Sequence, residues 1–478
     1  MNDKQEAKFQ ELTGRPVGHL VCKMAVPTII SMMVTACYNM VDTYFVGQLH
    51  SNSATGAVGV VFSLMAVIQA VGFFFGHGSG NYISRQLGRH ETADAEKMAA
   101  TGVTLAFLAG CVILVLGQIF LTPLARLLGS TDTILPYARS YLRIILLGAP
   151  YMTASFVLNN QLRFQGSAAY GMVGIAAGAV LNVGLDLLFI MVFRWGVAGA
   201  AIATVAAQLI STMACFIYAF AKYPQLRLHR EDMQITRGDI RRHVVQGVPL
   251  GLQFSVLAIG IIVMQGVVVQ FDMLDGVMVS SSAQMGFGAA NKLFNLTATP
   301  MNALGTAMTS FTAQNLGAGN HDRIRKGALQ SLVMVSLLAA MAVGIGLLLT
   351  LGNAYLRIFL SADKITMDTV RYGNTFLYVD YAMYLFLGFI FVVRNCIQGI
   401  GRSRFVLGAG AAELVARIAV CLTLPAAVAG GVVSAQANPL AFYALCAADP
   451  MAWIAADIVL AIPFFRNILR RDYRYMNI

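Results

Sequence analysis

Seven ionisable side chains sit inside long apolar stretches of this chain: Asp42, Asp186, Lys292, Asp380, Glu413, Arg417 and Asp457. In a membrane-crossing helix an acid costs about 2.5–3.5 kcal/mol to insert, so each of these positions asks for a partner or a function. Asp42 lies four residues after Tyr38 and shares a helix face with it and with Thr35. Asp186 lies four residues after Asn182, again one face of one helix. Counting about 1.5 Å per residue from Pro27 puts Asp42 in the outer half of its stretch. The stretch with Asp186 runs in the same direction, and the next one returns from Trp195 carrying Thr204. Two carboxylates with an amide, a hydroxyl and a phenol make an oxygen-rich pocket suited to Na⁺ or a shared proton. Its two acids would titrate as a coupled pair. The competing readings are an acid at the outer water boundary for Asp42 and unrelated packing polars for Asn182 and Asp186.

The remaining charges form a looser set. Glu413 and Arg417 are four apart and can neutralise each other along one helix. Asp457 is a candidate second polar site, and Asp380 and Lys292 have no partner legible from spacing. Asp380, Lys292, Glu413 and Asp457 are therefore candidate lining of a substrate cavity. Acids outnumber bases among the embedded charges, so a cavity lined by them would favour cations. The chain also holds 24 Met and 28 Phe, and Met-rich surfaces adapt to varied shapes. The competing reading is that these side chains face lipid.

The elements that must position these residues follow from composition. Of 478 residues, 58% are hydrophobic and 12% charged, about half the charged share of a soluble protein. Mean hydropathy is +0.69. There is too little charge to coat soluble domains, so soluble multidomain enzymes, disordered chains and disulfide scaffolds are excluded. A spanning helix needs about 20 apolar residues. Twelve such stretches are expected, near 23–48, 55–84, 97–122, 134–162, 168–193, 196–221, 243–271, 277–314, 326–351, 368–396, 405–425 and 450–468. Residues 426–448, broken by Gly430, Gly431 and Pro439, are expected to form an apolar outer loop or hairpin. The resulting organisation is a six-helix lobe over 1–221, a cytoplasmic linker over 222–242 and a second six-helix lobe over 243–478.

The net charge of +11 would suggest nucleic acid in a soluble protein, but here it marks cytoplasmic loops. With the N-terminus inside, 24 Lys and Arg fall on inner segments and seven on outer ones, with Arg163 and Arg394 counted as inner. Both termini are thus expected in the cytoplasm. Residues 1–22 hold Asp3, Glu6 and Glu11 with no apolar run, unlike a cleavable signal peptide. Seven scattered cysteines make no CxxC pair, and no metal or redox chemistry is expected of them.

The chain repeats itself. Arg85-Gln86-Leu87-Gly88 matches Gln314-Asn315-Leu316-Gly317 at a displacement of 229. Val26-Pro27 matches Val248-Pro249 at 222, and Gln165-Gly166 matches Gln398-Gly399 at 233. With an even number of spans per half, both halves enter the membrane in the same sense, as parallel repeats about an axis along the membrane normal. No P-loop and no HExxH is present, so transport would draw on an ion gradient and not on ATP.

On Asn39-Met40-Val41-Asp42-Thr43, the Leu87-Gly88 and Leu316-Gly317-Ala318-Gly319 helix ends, the Gln-Gly turns, Asn182 with Asp186, and Trp195-Gly196-Val197-Ala198-Gly199-Ala200, the sequence resembles the multidrug and toxic compound extrusion (MATE) family, in its bacterial DNA-damage-inducible-like branch. The resemblance implies an all-α polytopic protein of two six-helix parallel-repeat lobes in a V-shaped arrangement. It implies a monomeric secondary antiporter, not an enzyme, in the bacterial cytoplasmic membrane, with no cofactor beyond H⁺ or Na⁺. Its cargo would be cationic or amphipathic small molecules, with lipid and no nucleic acid as partner. By residue it places Asp42, Asn182, Asp186 and Thr204 on the ion site of the N-terminal lobe, with Tyr38 and Asn159 or Asn160 as contributors. Span seven carries no acid before Asp272, which argues against the branches that use one there. Two other classes stand beside this reading. A lipid-linked oligosaccharide flippase needs several basic residues in its cavity, and an embedded polyprenyl transferase needs acid or His clusters at the membrane surface.

Overall fold

Water is missing from a bilayer core, so each spanning segment must satisfy its own backbone, and helices do so internally. The computed structural model describes residues 3–47, 52–222 and 235–470. The side chains of 3–5, 7–8, 38–40, 42–44, 46–47, 52–56, 219, 222, 249–250 and 252–258, Tyr38 and Asp42 among them, lie outside the described residues. In chain order the helices of the first half are α1 (Asp3–Gly14), α2 (Val17–Gly47), α3 (Asn52–Gly88), α4 (Thr92–Ile119), α5 (Leu121–Leu127), α6 (Leu135–Phe164), α7 (Ala168–Asp186) and α8 (Gly196–Lys222). There follow α9 (Arg237–Gln270), α10 (Ser282–Gly317), α11 (His321–Thr350), α12 (Ala354–Phe359), α13 (Met367–Ala382), α14 (Tyr384–Gly399), α15 (Ser403–Ala429), α16 (Pro439–Cys446) and α17 (Ala448–Phe464). A two-stranded hairpin, β1 (Met273–Leu274) with β2 (Val277–Met278), joins α9 to α10.

Among the described residues nine spans are long and apolar enough to cross a bilayer, and α13 with α14, bent by 55°, makes a tenth. The helices α9 and α10, with 34 and 36 residues, have the length of the other two. The latter is polar along its first half (Asn291, Lys292, Asn295, Thr297, Thr299), which lowers its hydropathy. The outer loop expected over 426–448 is shorter than that. The helix α15 runs on to Ala429, and residues 439–446 are already helical and lead into the last span, Pro439–Leu469. Pro439 opens that segment at a position where a missing N–H costs nothing, and Asn438 caps it by accepting from Leu440 N at 3.0 Å.

Two compact units divide the chain, Met1–Gly251 with Ala313–Asn320, and Leu252–Thr312 with His321–Ile478. In the first, α3 and α6 pack along their length, α2 packs along α7, and α8 packs against both α6 and α7. One core cluster there includes Ile68, Leu142, Ile145, Leu146 and Met152, interleaved with Ala57, Ala149, Ala200 and Ala201. Lipid is as apolar as leucine, so close approach and not apolar transfer binds such helices together. Small residues supply it on α7: a Cβ on Gly178 would fall 2.9 Å from Ser211 Cβ, and one on Gly174 would strike Cys215 Sγ. The second unit packs α15 against α16 and α17, and α14 against α11 and α17. The aromatic side of α10 joins them, with Phe294 stacked on Trp453 at 5.9 Å and edge-on to Tyr384 and Phe376.

Two helix starts are held by carboxylates. Thr236 and Asp239 cap α9 reciprocally, with Asp239 N donating to Thr236 Oγ1 at 3.3 Å and Thr236 N to Asp239 Oδ2 at 3.0 Å. Lys97 Nζ adds a 2.8 Å bridge to Asp239. Burial alone would raise the Asp239 carboxyl, but the hydrogen bonds of Lys97 and Thr236 outweigh it and bring it down to about 2. Asp272, fully buried at the other end of α9, accepts from Ala283 N at 3.0 Å and Gln284 N at 2.9 Å, two of the unpaired donors that open α10.

The repeat is visible in backbone geometry. After α3, His90 adopts φ 62° with His90 N bonded to Leu87 O and Glu91 N to Gln86 O. After α10, 229 positions later, Gly319 adopts φ 72° with the equivalent bonds, Gly319 N to Leu316 O and Asn320 N to Asn315 O. The two ends also meet: a Cβ built on Gly88 falls 2.9 Å from Gly317 Cα and onto Gln314 O, and the reverse holds at Gly317. The third match needs a shift of register. The left-handed residue after α6 is Gly166, φ 74°, and after α14 it is Gly401, φ 79°, each with the same pair of closing bonds. Gly166 therefore corresponds to Gly401 and not to Gly399, whose lack of a side chain instead admits Thr312 and the Thr309 carbonyl of α10.

Replacing Gly88 or Gly317 by Ala should destabilise the purified protein by about 1–3 kcal/mol, the cost of overpacking a rigid contact. Thermal unfolding in detergent, scored against Gly266→Ala where nothing lies within 4 Å, checks it. Asp272→Ala should cost about 1–2 kcal/mol through the lost cap, and Asp272→Asn clearly less, in the same measurement.

Candidate functional site

In the first unit the expected site residues come from three helices. The helix α7 ends at Asp186, which is fully buried, and Asn182 one turn earlier is 3% exposed. From α8, Thr204 turns its hydroxyl to the Ala200 carbonyl at 3.0 Å and receives Asn182 Nδ2 at 3.5 Å. Asn182 Oδ1 is buried and accepts no hydrogen bond. The backbone changes pitch at this point: residues 187–192 form a π-helix directly after Asp186. Such wide turns are rare and collect at functional positions. The return into α8 is tight, with Arg194 and Gly196 both at positive φ and Trp195 stacked on Phe189 at 5.0 Å.

The helix α2 packs along α7 and carries Tyr38 and Asp42 in its second half. Pro27 interrupts its hydrogen-bond ladder by removing a donor. Beyond Pro27, Thr28 and Thr35 turn their hydroxyls onto the Met24 and Ser31 carbonyls at 3.1 and 2.8 Å. Asn159 is used elsewhere: its amide donates to Ser155 O at 3.1 Å, and Cys215 Sγ lies 3.9 Å from its Oδ1. Asn160 Nδ2 donates to Phe156 O at 2.8 Å, and its Oδ1 is buried without a donor.

The second unit holds a buried ion network that spacing revealed only in part. The pair Glu413 and Arg417 on α15 is present, Nη2 to Oε1 at 3.4 Å. The stronger contacts run to other helices, Arg394 of α14 to Glu413 at 2.7 Å and Arg417 to Asp449 of α17 at 2.7 Å. Arg394, Glu413 and Arg417 are all at most 6% exposed at the side chain. Two guanidiniums thus meet two carboxylates, as buried charges require. Gly260 of α9 makes room for this, since a Cβ there would lie 2.9 Å from Arg417 Cδ. Asp457 lies within the field of Arg394 and Glu413, with its Oδ2 accepting no hydrogen bond. Asp380 is fully buried at the end of α13, and neither of its oxygens accepts one. Lys292 is exposed, its Nζ 5.6 Å above the Phe359 ring.

Two basic residues read as cytoplasmic belong inside the helices. Arg394 is the partner of Glu413, and Arg163 is 9% exposed with Nη2 bonded to Ser31 at 3.3 Å. Embedded bases are therefore not limited to Lys292 and Arg417. Asp449 stands just after the 426–448 stretch, where sequence spacing offers it no partner, and it joins the network only through the packing of α15 against α17. Arg394 and Glu413 lie about two and three helical turns on either side of the Gly401 turn, a spacing that an antiparallel pair brings together. Among the described residues no group of three His, Cys, Asp or Glu is arranged to hold a metal.

The MatE family profile matches the chain twice, over residues 27–188 and 260–423. The starts are 233 apart and the ends 235, which agrees with the displacement between Gly166 and Gly401. The chain is 27% identical over 330 residues to a FAD transporter of Shewanella oneidensis, covering 68% of this chain and 71% of that protein. It is 23% identical over 404 residues to the multidrug export protein MepA of Staphylococcus haemolyticus, covering 84% and 85%. Among solved structures, a MATE transporter in the bent conformation superposes with a TM-score of 0.84 at 21% identity, over 97% of this chain and 98% of that one. An outward-facing multidrug resistance MATE transporter of the MOP superfamily gives 0.82 at 20%, over 95% and 96%. With twelve spans in two repeated halves and a double match across both, this chain is a multi-pass membrane protein that belongs to the MatE family of multidrug-type efflux transporters.

Proposed function

We propose that the protein is a secondary antiporter that exports cationic or lipophilic compounds in exchange for protons, with Asp42, Asn182, Asp186 and Thr204 as the coupling site. The observation that carries this reading is the fully buried Asp186, grouped with Asn182 and Thr204 on helices against which α2 packs. A buried carboxylate in a low-dielectric wall strongly prefers a bound cation, which gives an incoming ion something to do. Both carboxylates stand on segments that are not ideal α-helix. The helix α2 carries Pro27, and α7 turns into a π-helix after Asp186. Charge loss at the pair therefore has a deformable backbone to act upon.

The cycle is a competition. With the pair ionised, the protein tolerates a bound cation. Entry of a proton from outside neutralises the pair, relaxes α2 about Pro27 and weakens the hold on cargo, which leaves outward. Na⁺ would serve the same role at the same oxygens. Withdrawing Arg163 and Arg394 from the inner tally leaves 22 basic residues against seven, which supports cytoplasmic termini and residence in the bacterial inner membrane. Relatives are named for FAD transport and for multidrug export, and the excess of embedded acids supports the cationic cargo. The protein acts as a monomer and requires no cofactor other than its coupling ion.

Efflux of a fluorescent cation from proteoliposomes under an imposed pH or Na⁺ gradient tests this. Asp186→Asn should lower the gradient-driven rate at least tenfold with thermal stability retained, and wild-type efflux would refute the assignment. Asp42→Asn should do the same, and the double variant should be no worse than either single one; additive losses would mean independent sites. Affinity for a permanently charged cation, measured without any gradient, should fall as pH falls through the titration of the pair. Affinity indifferent to both pH and Na⁺ would rule out the competition.

A further inference from the structure

The ion network of the second unit is balanced without Asp380. Arg394 and Arg417 are matched by Glu413 and Asp449 through direct contacts, which leaves Asp380 as an extra acid. A carboxylate kept for structure is hydrogen-bonded, as Asp272 and Asp239 are in this chain. Asp380 is fully buried, and neither oxygen receives a donor from the protein. It stands three residues before the break at Met383, where α13 and α14 meet at 55°. Broken helices at membrane depth mark ion sites because the segments on either side can move independently.

Its surroundings define the ion. The charged or titratable neighbours are Arg417 from α15, Asp449 from α17 and Cys446 from α16, with Tyr381 and Tyr384 on α13 and α14. Both phenols are engaged with Thr297, at 3.3 and 2.8 Å. Na⁺ needs several free oxygen ligands, and the neighbouring oxygens are taken: Asp449 holds Arg417, and the Tyr381 and Tyr384 hydroxyls share Thr297. A proton needs one oxygen. The guanidinium nearby is already shared between Glu413 and Asp449, yet its Nε donates to nothing.

We propose that Asp380 is a second proton-carrying carboxyl, separate from the Asp42–Asp186 pair, and that its charge decides which acid holds Arg417. When Asp380 carries a proton it is neutral and leaves Arg417 on Asp449. When the proton leaves to water, the carboxylate competes with Asp449 for the same guanidinium and pulls α13 against α15 and α17 at the Met383 break. The antiport then moves a second proton through the C-terminal unit, and cargo release answers to two carboxyl sites. This rests on the antiport reading above, but not on the residues assigned to the coupling site of the first unit.

The chain has two tryptophans, Trp195 in the first unit and Trp453, one turn after Asp449 on α17. In a Trp195→Phe background, emission of the full chain in nanodiscs reports on the second unit alone. A pH titration should show a one-proton transition that is unchanged when choline replaces Na⁺, that persists in Asp42→Asn and in Asp457→Asn, and that is lost in Asp380→Asn. A transition that survives Asp380→Asn, vanishes with Asp42→Asn or Asp457→Asn, or depends on Na⁺ overturns the proposal. If Asp380→Asn is not recovered folded, Asp380→Glu decides: a transition moved along the pH axis supports it, and an unmoved one overturns it. Failure of the first-unit coupling site would appear in the efflux of Asp186→Asn and leave this titration as it is.

Discussion

An ionised group inside a bilayer has no water to compensate it, and the architecture of this protein follows from that shortage. The backbone answers with helices that close their own hydrogen bonds. The side chains answer in two ways. Arg394, Glu413, Arg417 and Asp449 neutralise one another across three helices and thereby tie α14, α15 and α17 together. Asp186 and Asp380 are fully buried acids outside that balanced network. A balanced network holds helices in place, whereas a buried acid outside it is a place where an ion gradient could act.

Both of those acids sit where a helix ceases to be regular. Asp186 is the last α-helical residue before a π-helical segment, and Asp380 precedes a 55° bend by three residues. Pro27 supplies a comparable irregularity in α2. Regular helices are stiff and transmit displacement as rigid bodies; departures from regularity let a local change of charge become a change of direction. Asp186 and Asp380 thus stand at points where their helices depart from regularity.

Elsewhere the helices are held by contact. Gly88 and Gly317 admit backbone against backbone, and Gly174 and Gly178 of α7 admit the Cys215 and Ser211 side chains of α8. Because lipid offers no apolar advantage over protein, such close approach is the main source of helix–helix affinity, and it also makes these positions intolerant of any side chain. That the two glycines occupy equivalent places in the two repeats means that one packing solution, once present, served both halves of the duplicated chain.

The helical class, the twelve spans and the duplication were legible in the residues themselves, because hydropathy and insertion cost act on each segment separately. The 229-residue displacement of the Leu-Gly helix ends carried through to identical turn geometry. Partnership was not legible. Arg394 read as a cytoplasmic base and spacing offered Asp449 no partner, although both are buried members of one network, since ion pairs between helices depend on rotation and depth that no spacing encodes. Residues 426–448 read as a loop because Gly430, Gly431 and Pro439 punctuate them, yet Pro439 begins a helix when a preceding Asn caps it. Likewise the Gln-Gly likeness at 398 was two residues out of register, because a positive φ belongs to the turn and not to the dipeptide. Local chemistry thus determined which residues enter the membrane and at what cost, and tertiary packing alone decided which of their charges would be matched with one another.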